Sequence, residues 1–325
     1  MWILILLLAL LLLLPGSFFY LVALRRKRRR KTPARRENSP SAHGVSTEKP
    51  ASGRPSSGPR TFRMDRDWLK AAPKQDVYLT SRDGLRLHAY LLPQGDCRNF
   101  VVVCHGYRAH AASTAHYARH FYEAGTSLLL IDARAHGESE GRSIGMGWPE
   151  RLDVVDWIAE LNRRYDHPRI ALFGVSMGGA TVLNAAGEAL PENVKCIISD
   201  CAYVSLKDEF LHQLRSFYHL PGWFLYLSDP ICRLLARYSP LRDGDGCAQL
   251  ARCERPVLLI HGAADDFVPP EMLDRAWKAI PGPKERLMIP GAGHAESVLV
   301  DPARYWEAVD GFLKSTLDAD SVSEI

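Results

Sequence analysis

Ser176 stands in Gly174-Val175-Ser176-Met177-Gly178, between the apolar run RIALFG (169–174) and the helix-forming stretch ATVLNAAG (180–187). A serine in that place either caps the following helix or presents a nucleophile. The spacing G-x-S-x-G arises by chance in roughly one chain in ten of this length and makeup, so the pattern alone decides little. Its surroundings decide more. A buried strand before the turn and a helix after it form a sharp elbow, and glycines on either side let the two crowd together. The serine is then held in a strained conformation with its hydroxyl lifted clear. A capping serine would need neither glycine.

A hydroxyl is a weak nucleophile until a base within ~3 Å takes its proton. Of the 12 histidines, His294 lies in the glycine-rich loop GAGH after the last strand run, where a loop can carry an imidazole across to Ser176. The imidazole in turn needs a carboxylate to fix its tautomer. The loop HGAADDFVP offers Asp265 and Asp266, of which only one can point at His294. His105, His136 and His261 also fall at strand ends; His105 and His261 precede glycines in tight turns, as structural hydrogen-bonding groups do. His116 and His120 are four apart on a helix without a third ligand nearby, so no metal site is expected.

These residues must be positioned by something. DVYLTSRDGLRLHAYLLP (76–93) is two β-rich runs about a turn, an antiparallel hairpin. Short apolar runs follow at 100–106, 127–132, 169–174, 194–200, 256–262 and 286–290, as expected of strands buried on both faces. Helical stretches at 113–124, 149–163, 177–189, 270–280 and 302–316 alternate with them. Strand alternating with helix predicts an α/β fold, an eight-stranded and mostly parallel sheet flanked by helices. Residues 204–253, rich in leucine and aromatics, break the rhythm and are expected to form a helical cap over the sheet's carboxyl edge, where ligands bind.

The chain has 325 residues, 46% of them hydrophobic, and a net charge of +4. Residues 25–63 alone carry a net +11, with 13 Lys or Arg against 2 Glu, which leaves −7 for the rest. An acidic folded part excludes a nucleic-acid-binding core. Seven scattered cysteines without a C-x-x-C pair suggest reduced, mostly buried thiols.

The first 24 residues carry no charge and are followed by RRKRRRK (25–31), which predicts a single-pass transmembrane anchor over 1–24. The positive charge places everything after Arg25 on the cytoplasmic side of the cell membrane, with the basic run touching lipid headgroups. Residues 25–67 are basic and then rich in Pro, Ser and Gly, and are expected to be a disordered linker. The folded domain is expected over 68–318, with a flexible tail at 319–325.

With these motifs in place, the chain resembles an α/β-hydrolase over about residues 75–318. The order Ser176, Asp265, His294 is that family's order of nucleophile, acid and base. Its acid loop, G-x-x-D-x-x-V-P, falls on Gly262, Asp265, Val268 and Pro269, which implies Asp265 rather than Asp266. HGY (105–107) resembles the family's oxyanion turn, so the resemblance implies that the backbone N–H groups of Tyr107 and Met177 form the oxyanion hole. DARAHGESEG (132–141) is similar to the family's D-x-R-x-x-G-x-S loop, with Ala135 where many relatives have Gly. The anchor and SDCAYVSLKDEF (199–210) resemble the bacterial membrane-anchored branch described as serine-aminopeptidase-like or monoacylglycerol-lipase-like. The implied activity is hydrolysis of carboxylic esters or thioesters with apolar acyl groups, without cofactor or metal. A serine peptidase of aminopeptidase type, or a non-catalytic membrane-attached binding protein, are the alternatives.

Overall fold

The computed structural model describes residues 14–26 and 60–317. Eight strands form one sheet: β1 (Gln75–Thr80), β2 (Arg86–Leu92), β3 (Asn99–Cys104), β4 (Ser127–Asp132), β5 (Arg169–Val175), β6 (Val194–Asp200), β7 (Val257–Gly262) and β8 (Lys284–Ile289). Their order is β1-β2-β4-β3-β5-β6-β7-β8. The hairpin β1–β2 and the pair β2–β4 are antiparallel, and every pair from β4 to β8 is parallel. All eight strands lie where the apolar runs predicted them, within a few residues.

Alternation along the strands divides the core in two. On β3, Phe100 and Val102 face one side with Leu129, Leu172 and Ile197; Val101 and Val103 face the other with Leu128, Phe173 and Ile198. Helices cover both sides: α1 (Arg60–Ala71), α2 (Ala115–Glu123), α3 (Glu150–Arg164), α4 (Met177–Ala185), α8 (Glu271–Ala279), the short α9 (Ser297–Val300) and α10 (Pro302–Leu317). Trp157 of α3 is buried on the first side and Tyr305 of α10 on the second. The expected insertion between β6 and β7 is helical, comprising α5 (Leu206–Ser216), α6 (Trp223–Leu235) and α7 (Gly246–Leu250).

The loop after β4 is tied down by its own polar groups. Asp132 accepts from the backbone N–H groups of Ala111 and Glu138 and from His88 Nδ1 (2.8 Å), while Ser139 Oγ donates to the Asp132 carbonyl. Asp132 is buried, which opposes its charge, but these partners hold its carboxyl down to about 2. A β-carbon on Gly137 would meet the Asp132 carboxyl at 2.0 Å, so only glycine fits there. Ala135, which stands where many sequences that this loop resembles have glycine, adopts φ +62°.

Two expectations change. The folded part begins before residue 68, because α1 starts at Arg60: Leu69 is buried, and Trp68 packs edge-on against Tyr122 at 5.6 Å. The rest of the expected linker, 27–59, lies outside the described residues, as do the tail beyond 317 and residues 1–13 of the expected anchor. Among the described residues, no helix is long and apolar enough to cross a membrane. Residues 14–24 instead form a helical segment, ending in a π-turn over Tyr20–Leu24, that lies against the insertion and the sheet's carboxyl edge. Part of their apolar surface packs on the protein, while Leu14, Phe18 and Leu21 stay exposed. Phe19, Tyr20 and Leu24 are buried, and Phe19 packs edge-on against Phe210 at 5.0 Å. Leu24 and Arg26 pair through their backbones with Ile144 and Arg142. The Arg26 guanidinium donates to the carbonyls of Gly137 and Ser139.

Candidate active site

Ser176 follows β5 directly and precedes α4, with φ +58° and ψ −119°, a conformation that L-residues rarely adopt. Crowding holds it there. A β-carbon on Gly174 would lie 2.1 Å from the carbonyl oxygen of Gly178, so the strand and the helix touch through hydrogen alone. The Ser176 N–H donates to the Asp200 carbonyl at the end of β6, and its carbonyl accepts from Ala180. Although Ser176 occupies the N-cap position of α4, its side chain caps nothing.

The hydroxyl faces His294. Ser176 Oγ lies 2.8 Å from His294 Nε2, and His294 Nδ1 lies 2.8 Å from Asp265 Oδ2. Asp265, in the loop after β7, is buried; its Oδ1 accepts from the N–H groups of Phe267 and Val268. Burial opposes the charge of Asp265, yet hydrogen bonds from His261, His294 and Val268 hold its carboxyl well below the usual range. A carboxylate so held accepts the Nδ1 proton, which leaves Nε2 free to accept from the serine. Of the two loop acids, Asp265 is the one that meets His294, while Asp266 is exposed.

Tyr107 and Met177 line one cavity with Ser176. The Met177 N–H opens α4 and belongs to a helix's first turn, where amides have no partner within the helix. Gly106 brings Tyr107 close: a β-carbon there would be 3.5 Å from Ser176 Cβ. The remaining strand-end histidines are structural. His105 accepts from the Ala133 N–H and bonds the Gly106 carbonyl, His136 accepts from the Arg108 N–H, and His261 donates to the Val268 carbonyl while lying 3.3 Å from Asp265. His120 stacks on Trp306 and pairs with Asp310 rather than with His116. Cys201, Asp265 and His294 bring possible ligand atoms within 4.8 Å of one another. Burial keeps the Cys201 thiol protonated, and both His294 nitrogens have partners, so this donor set does not favour a metal.

Two cavities meet at Ser176. The larger, about 370 Å³, is mostly apolar and lies under the insertion. The second, about 310 Å³, is bordered by His294, Ala295 and His116. The larger one includes parts that sequence reasoning did not assign to the site. Phe18, Phe19, Val22 and Ala23 of the N-terminal segment form one wall. Tyr107 Oη donates to the Ala23 carbonyl (2.6 Å), and Arg108 donates to the Val22 carbonyl. Glu209 of α5 also lines it; its position on the otherwise apolar face of Leu206, Phe210 and Leu214 was the available signal. Asp200 is fully buried behind the elbow, where Tyr305 Oη donates to it, and burial pushes its carboxyl up to about 6.

Residues 95–243 match the family model described as serine aminopeptidase, S33. The chain is 28% identical over 248 residues to the protein YqkD of Bacillus subtilis, covering 76% of this chain and 81% of that one. It is 29% identical over 245 residues to Rv2307c of Mycobacterium tuberculosis, covering 74% and 80%. Among solved structures it is similar to the esterase Pf2001 of Pyrococcus furiosus, with TM-score 0.63 and 23% identity over 84% of this chain and all of that one. It is also similar to the acetyl xylan esterase of Paenibacillus sp. R4, with TM-score 0.58 and 20% identity over 80% and 95%.

Proposed function

We propose that this chain, an α/β-hydrolase by its fold and by the family model its residues match, cleaves carboxylic esters or thioesters of apolar acyl groups through a serine acyl-enzyme. The observation that carries this reading is the unbroken Ser176–His294–Asp265 chain of 2.8 Å contacts at the floor of an apolar cavity. Ser176 Oγ attacks the substrate carbonyl carbon while His294 Nε2 takes its proton. The N–H groups of Tyr107 and Met177 receive the developing oxyanion, each such donor being worth ~10²–10³ in rate. His294 returns the proton to the leaving alcohol or thiol, and the acyl group stays on Ser176. Water, deprotonated by the same imidazole, then releases the acid. Asp265 keeps the imidazole in the right tautomer and balances its charge when protonated.

The insertion acts as the cap, because Phe210, Leu214 and Phe224 close the cavity over Ser176. Residues 1–13, apolar throughout, continue from a segment that already walls this cavity, and Arg25–Lys31 follow it. Membrane attachment with the catalytic domain on the cytoplasmic side would therefore hold the site beside lipid. The peptidase alternative draws on the description of the family model. Turnover of p-nitrophenyl acyl esters beside aminoacyl amides, by the parent and by Ser176→Ala, tests the reading; the parent is expected to favour the esters.

A further inference from the structure

The larger cavity is lined mostly by aromatic and aliphatic side chains, with Arg108 and Gln213 among them and Glu209 as the one acid among the described residues. Glu209 is only 2% exposed. Its Oε1 accepts from Gln213 Nε2 at 2.8 Å, and the same amide nitrogen donates to the Phe267 carbonyl at 2.7 Å, which ties α5 to the loop that carries Asp265. Its Oε2 is buried without a partner among the described residues. A buried carboxyl oxygen left unpaired destabilises the fold, a cost that an apolar residue of the same shape would not incur. A substrate group placed against Oε2 would remove it.

The two cavities divide the substrate between them. His294, which protonates the leaving group, borders the smaller cavity and not the larger. The leaving group therefore departs through the smaller one, and the acyl chain occupies the space that Glu209 faces. Burial, together with the nearby Asp265 charge, pushes the Glu209 carboxyl up to about 8, so it carries a proton at neutral pH. Because Oε1 accepts from Gln213, that proton sits on Oε2, a donor that has no acceptor among the described residues.

Resting on the ester-hydrolase reading above, we propose that Glu209 Oε2 donates a hydrogen bond to an oxygen atom within the substrate's acyl chain. The preferred substrates are thus oxygen-substituted acyl esters rather than plain alkanoyl esters. The test uses the full-length protein in detergent, with p-nitrophenyl octanoate and analogues in which one chain methylene is replaced by an ether oxygen, scanned along the chain. At least one analogue should exceed the plain ester in kcat/KM by about tenfold, the worth of one such bond. Glu209→Leu should abolish that ratio, and Glu209→Gln, whose amide keeps the shape and a donor, should preserve it. Thermal melting of both variants reports that they fold. The proposal is overturned if no ether position is preferred, if Glu209→Leu keeps the preference, or if amine-substituted chains are preferred over ethers. A parent protein that turns over no ester would instead strike the hydrolase reading itself.

Discussion

A β-carbon on Gly178 would lie 2.0 Å from the carbonyl oxygen of Cys104, the last residue of β3. The first turn of α4 therefore rests directly on the strand that leads to Tyr107, and the elbow, the helix and the oxyanion turn form one contact with no space in it. Gly178→Ala should destabilise the protein by about 3 kcal/mol or more, because the atoms it strikes are backbone and cannot swing away. Denaturant unfolding checks this, with Ser176→Ala, which adds no atoms, as the reference expected to unfold like the parent.

Asp265 sits 2.8 Å from His294 and fixes which ring nitrogen carries the proton. Asp265→Asn keeps an oxygen for the Val268 N–H but presents no charge to the imidazole. It should lower kcat by roughly 10³–10⁴ while KM changes little. Steady-state kinetics on one acyl ester separates the two constants.

Glu209 has a consequence for stability as well. Its ordinary pKa is 4.5 and burial raises it to about 8. Below about 4.5 the folded and unfolded chains both hold this proton. As pH rises through the interval, the unfolded chain releases it and the folded chain keeps it, so stability falls until about pH 8, where the loss is complete. Glu150, raised to about 7 by burial, acts in the same direction. Glu209→Gln should therefore melt higher than the parent at pH 8 and above, and the difference should shrink toward pH 5. Melting curves across that range decide it; equal pH dependence of the two proteins would contradict the assignment.

Phe19 joins the N-terminal segment to α5 through Phe210 and lines the larger cavity. Phe19→Ala in the full-length chain should cost about 3 kcal/mol of stability. It should also flatten the dependence of kcat/KM on acyl chain length by widening the cavity on that side. Rates on a series from p-nitrophenyl acetate to decanoate test this; an unchanged profile would remove the segment from the acyl site.

The sheet was legible because parallel strands buried on both faces read as unbroken apolar runs, such as VVVC in β3 and LLLI in β4. Ser176 and His294 stood out because each lies among glycines at a strand's end, and it was the resemblance to the family's acid loop that favoured Asp265 over Asp266. Residues that act through long-range packing were not. Phe18 and Phe19 read as part of a membrane span, since composition alone cannot tell a lipid-facing phenylalanine from one that lines a protein cavity. Asp200 is set apart by burial against α10, which no local pattern announces, and for Glu209 the one signal was its place on the apolar face of α5. Helix α1 was hidden by its charge: within RTFRMDRDWLKA it buries Leu69, with Trp68 packed on Tyr122, and little else marks it.

Covalent labelling with a fluorophosphonate, read by mass spectrometry of the digested protein, tests the central claim most directly. The parent should be modified at one residue, Ser176; Ser176→Ala should take up no label, and His294→Ala should react slower by orders of magnitude. Equal labelling of the parent and Ser176→Ala, or a parent that stays unmodified under conditions that label other serine hydrolases, would contradict the claim that this serine is an activated nucleophile.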